Sequence, residues 1–211
     1  MIALIDYGAG NVRSVHKALK AVGAEVSLTH DPTVVASADK VVLPGVGAFA
    51  DCMDSLERLG LVEAVLEVVA RGTPFLGICV GMQVLFEYGE ELGGREGLGL
   101  LPGRVVRFEV ASPLKVPHTG WNQIRSVRDT PLLRGVPQGA WAYFNHSFYC
   151  DAAPRDILAT ADYGSPFPAM VGRGALFGVQ FHPEKSQQVG LQVLRNFVQL
   201  ADGEERAHEE F

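Results

Sequence analysis

The sequence is short of several things. No apolar run is long enough to cross a bilayer, which argues against a transmembrane helix. There is no block of basic residues, and 18 Lys and Arg against 24 Asp and Glu give a net charge of −6. Neither nucleic acid nor an anionic membrane surface is an expected partner. Only three cysteines occur, Cys52, Cys79 and Cys150, an odd number without paired spacing. A disulfide framework is therefore not expected, and a reducing cytoplasm is. The N-terminus lacks the basic start of a secretory signal and turns polar at Asp6. Neither C-x-x-C nor H-E-x-x-H occurs, so no metal site and no cofactor are expected.

What is present is an alternation of elements. The 211 residues suffice for one sizeable α/β domain, expected over 1–201, with an acidic, frayed tail over 202–211. Residues 2–6 predict a first strand, and Asn11 predicts the cap of a helix in which Val12, Val15, Leu19 and Val22 recur at helical spacing. Strands are expected at 25–29, 40–43 and 73–76, with helix over 49–70 broken near Gly60. A helix is expected from Val80 to about Tyr88, then a glycine-rich surface loop over 89–103. From Arg104 the pattern turns to short strands, and 187–200 predicts a closing helix. The fold class is α/β: a mostly parallel sheet flanked by helices, with an antiparallel extension.

Gly77-Ile78-Cys79-Val80-Gly81 lies where strand 73–76 meets the helix after it. Glycine two positions from a cysteine on each side is the layout of a nucleophile elbow, with sulfur in place of oxygen. The tight turn strains the nucleophile's backbone and leaves no room for side chains two residues away. It also aims the Val80 N–H at an oxyanion formed when Cys79 attacks a carbonyl. A buried structural thiol is the bland alternative.

Three more stretches follow strands. The Gly8–Asn11 turn is either a tight turn or a partial phosphate cradle, since G-x-G-x-x-G is incomplete. Pro44-Gly45-Val46-Gly47 is a turn whose glycines allow backbone N–H groups to face a ligand, and it could supply a second oxyanion donor. Near the end, His182 and Glu184 stand two apart in an extended segment stiffened by Pro183 and share a face. Cys79, His182 and Glu184 thus suit acyl transfer to sulfur, His182 moving the proton and Glu184 orienting the imidazole. In isolation, a structural histidine remains open. Pro117–Asn122 is expected on a loop, with Trp121 as a packing anchor and His118 at the surface. His146 and Phe148 face one side of a strand and could line a pocket, with Ser147 beside them.

The stretch from Gly77 to Gln83 and the His182-Pro183-Glu184 triplet resemble the nucleophile segment and the His-x-Glu pair of class I glutamine amidotransferases. The resemblance covers nearly the whole chain and implies that family's flavodoxin-like fold. The stretches 6–11, 44–49 and 117–122, with Lys185-Ser186, are similar to the branch of the class that serves histidine biosynthesis. The resemblance implies that glutamine is hydrolysed to glutamate and ammonia through a Cys79 thioester. It implies Val80 and the Gly45-Val46-Gly47 loop as oxyanion donors, and Gln83, His146, Ser147 and Phe148 as glutamine-binding residues. It also implies a heterodimer with a (β/α)8-barrel cyclase, which uses the ammonia to make imidazole glycerol phosphate and an aminoimidazole carboxamide ribotide. Asn11, His118, Trp121 and Lys185 are the candidates for the docking face. A peptide flip in the 44–47 loop is the expected switch that keeps the isolated chain nearly silent. An amidotransferase feeding another synthase, a stand-alone cysteine hydrolase and a non-catalytic regulator are the alternatives.

Overall fold

The computed structural model describes residues 1–8 and 11–200. Ala9, Gly10 and the expected tail lie outside the described residues. In chain order the elements are β1 (Ile2–Ile5), α1 (Val12–Ala21), β2 (Val26–Thr29), α2 (Pro32–Ala36), β3 (Lys40–Gly45), α3 (Phe49–Arg58), α4 (Leu61–Ala70), β4 (Phe75–Cys79) and α5 (Val80–Gln83). There follow β5 (Phe86–Gly89), β6 (Arg95–Glu96), β7 (Leu101–Arg107), β8 (His118–Ser126), β9 (Ala140–His146), β10 (Phe148–Ala152), β11 (Ile157–Asp162), β12 (Pro166–Arg173), β13 (Leu176–Val179) and α6 (Gln187–Gln199).

The main sheet runs β2-β1-β3-β4-β13-β12-β11-β8-β9. From β2 to β13 the pairings are parallel; from β13 to β9 they are antiparallel. The parallel half has the 2-1-3-4-5 order of a flavodoxin-like sheet, and the antiparallel half is the extension expected from the strand-rich second part of the chain. A smaller sheet, β10-β7-β5-β6, packs beside it. Strands β1 and β4 are buried at every position, as strands covered by helices on both faces must be. Val15 and Leu19 of α1, Phe49 and Leu56 of α3, Val65 and Val68 of α4, and Val193, Leu194 and Phe197 of α6 supply the covering. Each such side chain contributes about 1.5–3 kcal/mol by leaving water.

The α3–α4 break falls at Gly60, which takes φ 65° as the cap of α4. Expectations fail in three places. The helix after Cys79 is four residues long instead of reaching Tyr88, and β5 replaces its second half. Val84, Leu85 and Phe86 are all fully buried, whereas a surface helix buries one stripe. Their carbonyls instead accept the amides of Leu98, Gly99, Leu100 and Leu101. That pairing also orders the expected 89–103 loop, where Glu91 Oε2 caps α3 by accepting from the Phe49 amide at 2.8 Å. Residues 118–122 form the start of β8 rather than a loop, because Gly120 and Trp121 pair with Phe144 and Tyr143 across the ladder. Helix α2 was not expected; Asp31 caps it through the Thr33 amide at 2.8 Å, and Pro32 opens its first turn.

Candidate active site

Cys79 ends β4 and caps α5 with φ 55° and ψ −111°, a conformation that L-residues rarely hold. Close packing holds it there. A Cβ added to Gly81 would lie 2.0 Å from the Leu43 carbonyl oxygen, and one on Gly77 would lie 2.3 Å from the Gly81 oxygen. Gly45 pairs with Cys79 in the β3–β4 register. A Cβ there would stand 2.4 Å from the Gly81 amide nitrogen.

His182 lies three residues beyond β13, held by its amide to the Tyr143 carbonyl at 2.9 Å. Its Nδ1 meets Glu184 Oε1 at 2.9 Å, with both side chains buried. A carboxylate against Nδ1 makes that nitrogen the donor and leaves Nε2 for proton transfer. Burial opposes the imidazolium, but hydrogen bonds to, and negative charge on, the Cys79 sulfur and the Glu184 carboxylate outweigh it and lift His182 to about 10. Ser186 staples this turn to β9: its Oγ accepts from the Tyr143 amide at 2.9 Å and its hydroxyl donates to the His182 carbonyl at 2.7 Å.

Cys79, Val80, Val46, Gly47, Gln83, His146, Ser147, Phe148 and His182 line one cavity of about 260 Å³, with Glu91, Pro117, Asn145 and Lys185 at its walls. The cavity stands at the C-terminal ends of β3 and β4, where open α/β sheets place their ligands. Of the expected oxyanion residues, Gly45 does not line it; strand pairing turns Gly45 against the elbow. The other two cysteines do not compete with Cys79. Burial pushes the Cys52 thiol up to about 12 and Cys150 well above the usual thiol range.

Gln83 donates through Nε2 to the Phe148 carbonyl and to Gln180 Oε1, each at 3.1 Å. His146 Nδ1 meets the same Phe148 carbonyl at 2.8 Å. His146 Nε2 meets His118 Nδ1 at 2.9 Å, and Asn122 Nδ2 stands 3.3 Å from His118 Nε2. A carbonyl only accepts, so His146 carries its proton on Nδ1, His118 on Nδ1, and the Asn122 amide donates. His118 is thus not a docking residue. It is 3% exposed, stacked between Phe144 and Tyr163, because its position in β8 pairs with His146 in β9.

Asn11 also differs from its expected role as a capping side chain. In the left-handed conformation at φ 71° its side chain makes no cap bond; its Nδ2 donates to Glu184 Oε1 instead. Trp121 and Lys185 are exposed, as a docking face needs; Trp121 packs edge-on against Tyr143, and Lys185 Nζ lies 5.5 Å from the Tyr143 ring centre. Sequence reasoning gave no role to Gln180 or Ser186. Both lie within four residues of His182, and that adjacency was the available signal. Among the described residues no three His, Cys, Asp or Glu side chains are placed to hold a metal ion, and no helix is long and apolar enough to cross a membrane.

Comparison with known proteins agrees with this geometry. The profile of the family described as glutamine amidotransferase class-I matches residues 3–200. "Imidazole glycerol phosphate synthase subunit HisH" of Syntrophotalea carbinolica is 54% identical over 93% of this chain and 98% of its own length. The protein of the same name from Salinibacter ruber is 49% identical over 97% of both chains. The solved structure of PurLQS from Thermotoga maritima superposes with a TM-score of 0.70 at 20% identity, covering 93% of this chain and 96% of that one. A crystal structure of a glutamine amidotransferase gives a TM-score of 0.73 at 17% identity, covering 95% of this chain and 100% of that one. At such identities these two likenesses speak for the fold alone. With an elbow cysteine facing a carboxylate-oriented histidine, and a family profile spanning the chain, this protein belongs to the class I glutamine amidotransferases.

Proposed function

We propose that the chain is the glutaminase subunit of imidazole glycerol phosphate synthase, acting in the cytoplasm in histidine biosynthesis. The observation that carries the chemistry is the opening of Cys79 and His182, the latter oriented by Glu184, onto one cavity. The identity of about half with proteins named as that subunit, over nearly the whole length, supports the pathway.

Glutamine enters with its side-chain amide at Cys79. The charged His182 favours the thiolate, which attacks the amide carbon. The resulting oxyanion takes the Val80 N–H and a second N–H from the Val46-Gly47 turn. His182 then protonates the departing nitrogen and ammonia leaves, giving a γ-glutamyl thioester that water hydrolyses to glutamate. Gln83 has both amide hydrogens committed, so its Oε1 remains to accept from the glutamine ammonium. Ser147 and the 146–148 backbone border the same end.

Ammonia released into water becomes ammonium and is lost as a nucleophile. A (β/α)8-barrel cyclase docked over Trp121 and Lys185 would receive it under cover. Gly47, at φ 93°, gives the 44–47 turn the freedom for the expected peptide flip. The test is Cys79→Ala in the complex. Glutamine-dependent cyclisation is lost and cyclisation with added ammonium salt is retained. Retained glutamine-dependent turnover would overturn the assignment of Cys79.

A further inference from the structure

One more group touches the reacting sulfur. Gln180 is fully buried, and its Nε2 donates to Cys79 Sγ at 3.6 Å. Its Oε1 accepts from Gln83 Nε2 at 3.1 Å. The direction of this chain is set at its far end. The Phe148 carbonyl can only accept, so Gln83 turns its NH2 toward it; the other hydrogen of that NH2 meets Gln180 Oε1. Gln180 must then present its own NH2 to sulfur. Flipping either amide sets donor against donor or acceptor against acceptor. His146 Nδ1, on the same carbonyl at 2.8 Å, holds the anchor in place. Gln180 is wholly buried and does not line the cavity, so it meets the sulfur from the protein side.

We propose that Gln180 is a further catalytic residue, a fixed hydrogen-bond donor that stabilises negative charge on the Cys79 sulfur. Thiol and thioester sulfur are weak acceptors, whereas a thiolate is a strong one, so the bond strengthens whenever the sulfur becomes anionic. That happens twice in a turnover. Before attack, the donor favours the nucleophilic form. In thioester hydrolysis, water adds to the carbonyl carbon and gives one proton to His182. The C–S bond then breaks, its electron pair goes to sulfur, and Gln180 receives the new thiolate. Glutamate leaves as the acid, loses its proton to solvent, and the thiolate–imidazolium pair is restored. The second step rests on the glutaminase reading; the first does not.

Two variants of different shape separate donation from packing: Gln180→Met and Gln180→Leu. Across a pH series in the isolated chain, the midpoint of iodoacetamide labelling at Cys79, located by mass spectrometry, should move up by about one pH unit in both. A hydrogen bond to a charged group shifts the thiol–thiolate equilibrium about tenfold or more, which is about one pH unit, whatever the intrinsic reactivity of the thiolate. With cyclase and glutamine, acid-quenched protein should carry more thioester than wild type, with kcat reduced and KM not raised. A packing role would instead spare Met and impair Leu in step with their melting temperatures. A labelling midpoint within about 0.3 unit of wild type in either folded variant would overturn the proposal. Should the wild-type complex release no glutamate, the glutaminase reading falls, and the labelling comparison still decides the role of Gln180.

Discussion

At the scale of single residues, the buried histidines divide by sign. Burial holds His118 down to about 4 and His146 to about 3, so both are neutral at physiological pH. As pH falls below the ordinary 6.5, the unfolded chain takes up protons that the folded chain refuses, and stability is lost down to those values. His182 runs the other way: raised to about 10, it contributes stability that is complete below 6.5 and lost as pH rises through 10. His118→Phe keeps a ring between Phe144 and Tyr163 and removes one titration. Urea unfolding at pH 7 and pH 5 should show a smaller acid loss in this variant than in wild type, by up to about 1.4 kcal/mol per pH unit. An unchanged loss would contradict the neutral pair. Cys79, His182 and Glu184 were legible in the sequence because each belongs to a local pattern of a few residues. The contacts of Asn11 with Glu184 and of His118 with His146 were not. They join positions 173 and 28 residues apart, and only sheet register and loop packing bring such positions together.

At the scale of elements, the site depends on one strand-to-helix corner packed to backbone contact. Gly81→Ala places a methyl group 2.0 Å from the Leu43 carbonyl oxygen, and a backbone oxygen in a central strand cannot swing aside as a side chain would. The expected result is a loss of about 3 kcal/mol or more in urea unfolding, or insoluble protein. A near-neutral variant would mean that the corner has slack. The glycine spacing made this corner readable. The length of α5 was not, because Val84, Leu85 and Phe86 suit a buried helix face and a buried strand equally well. Distant amides from 98–101 decide between them. The same holds for residues 118–122, whose polar and aromatic composition suggests a loop until the β9 ladder is formed.

At the scale of the whole molecule, the two halves of the large sheet have different duties. The parallel half, from β2 to β13, carries Cys79 and leads into His182 at its C-terminal ends. The antiparallel half carries β8 and β9, where Trp121 pairs with Tyr143, whose ring lies under Lys185 at the cavity wall. The alternation of strands and helices followed by strands alone announced this division in the sequence. The most direct test of the account is glutamate release from glutamine by the wild-type chain, alone and with the proposed barrel cyclase plus its phosphoribulosyl ligand. The account predicts near silence alone and activation of a hundredfold or more in the complex, an increase of about 3 kcal/mol in transition-state stabilisation. A chain that turns over glutamine at its full rate without the cyclase would contradict it.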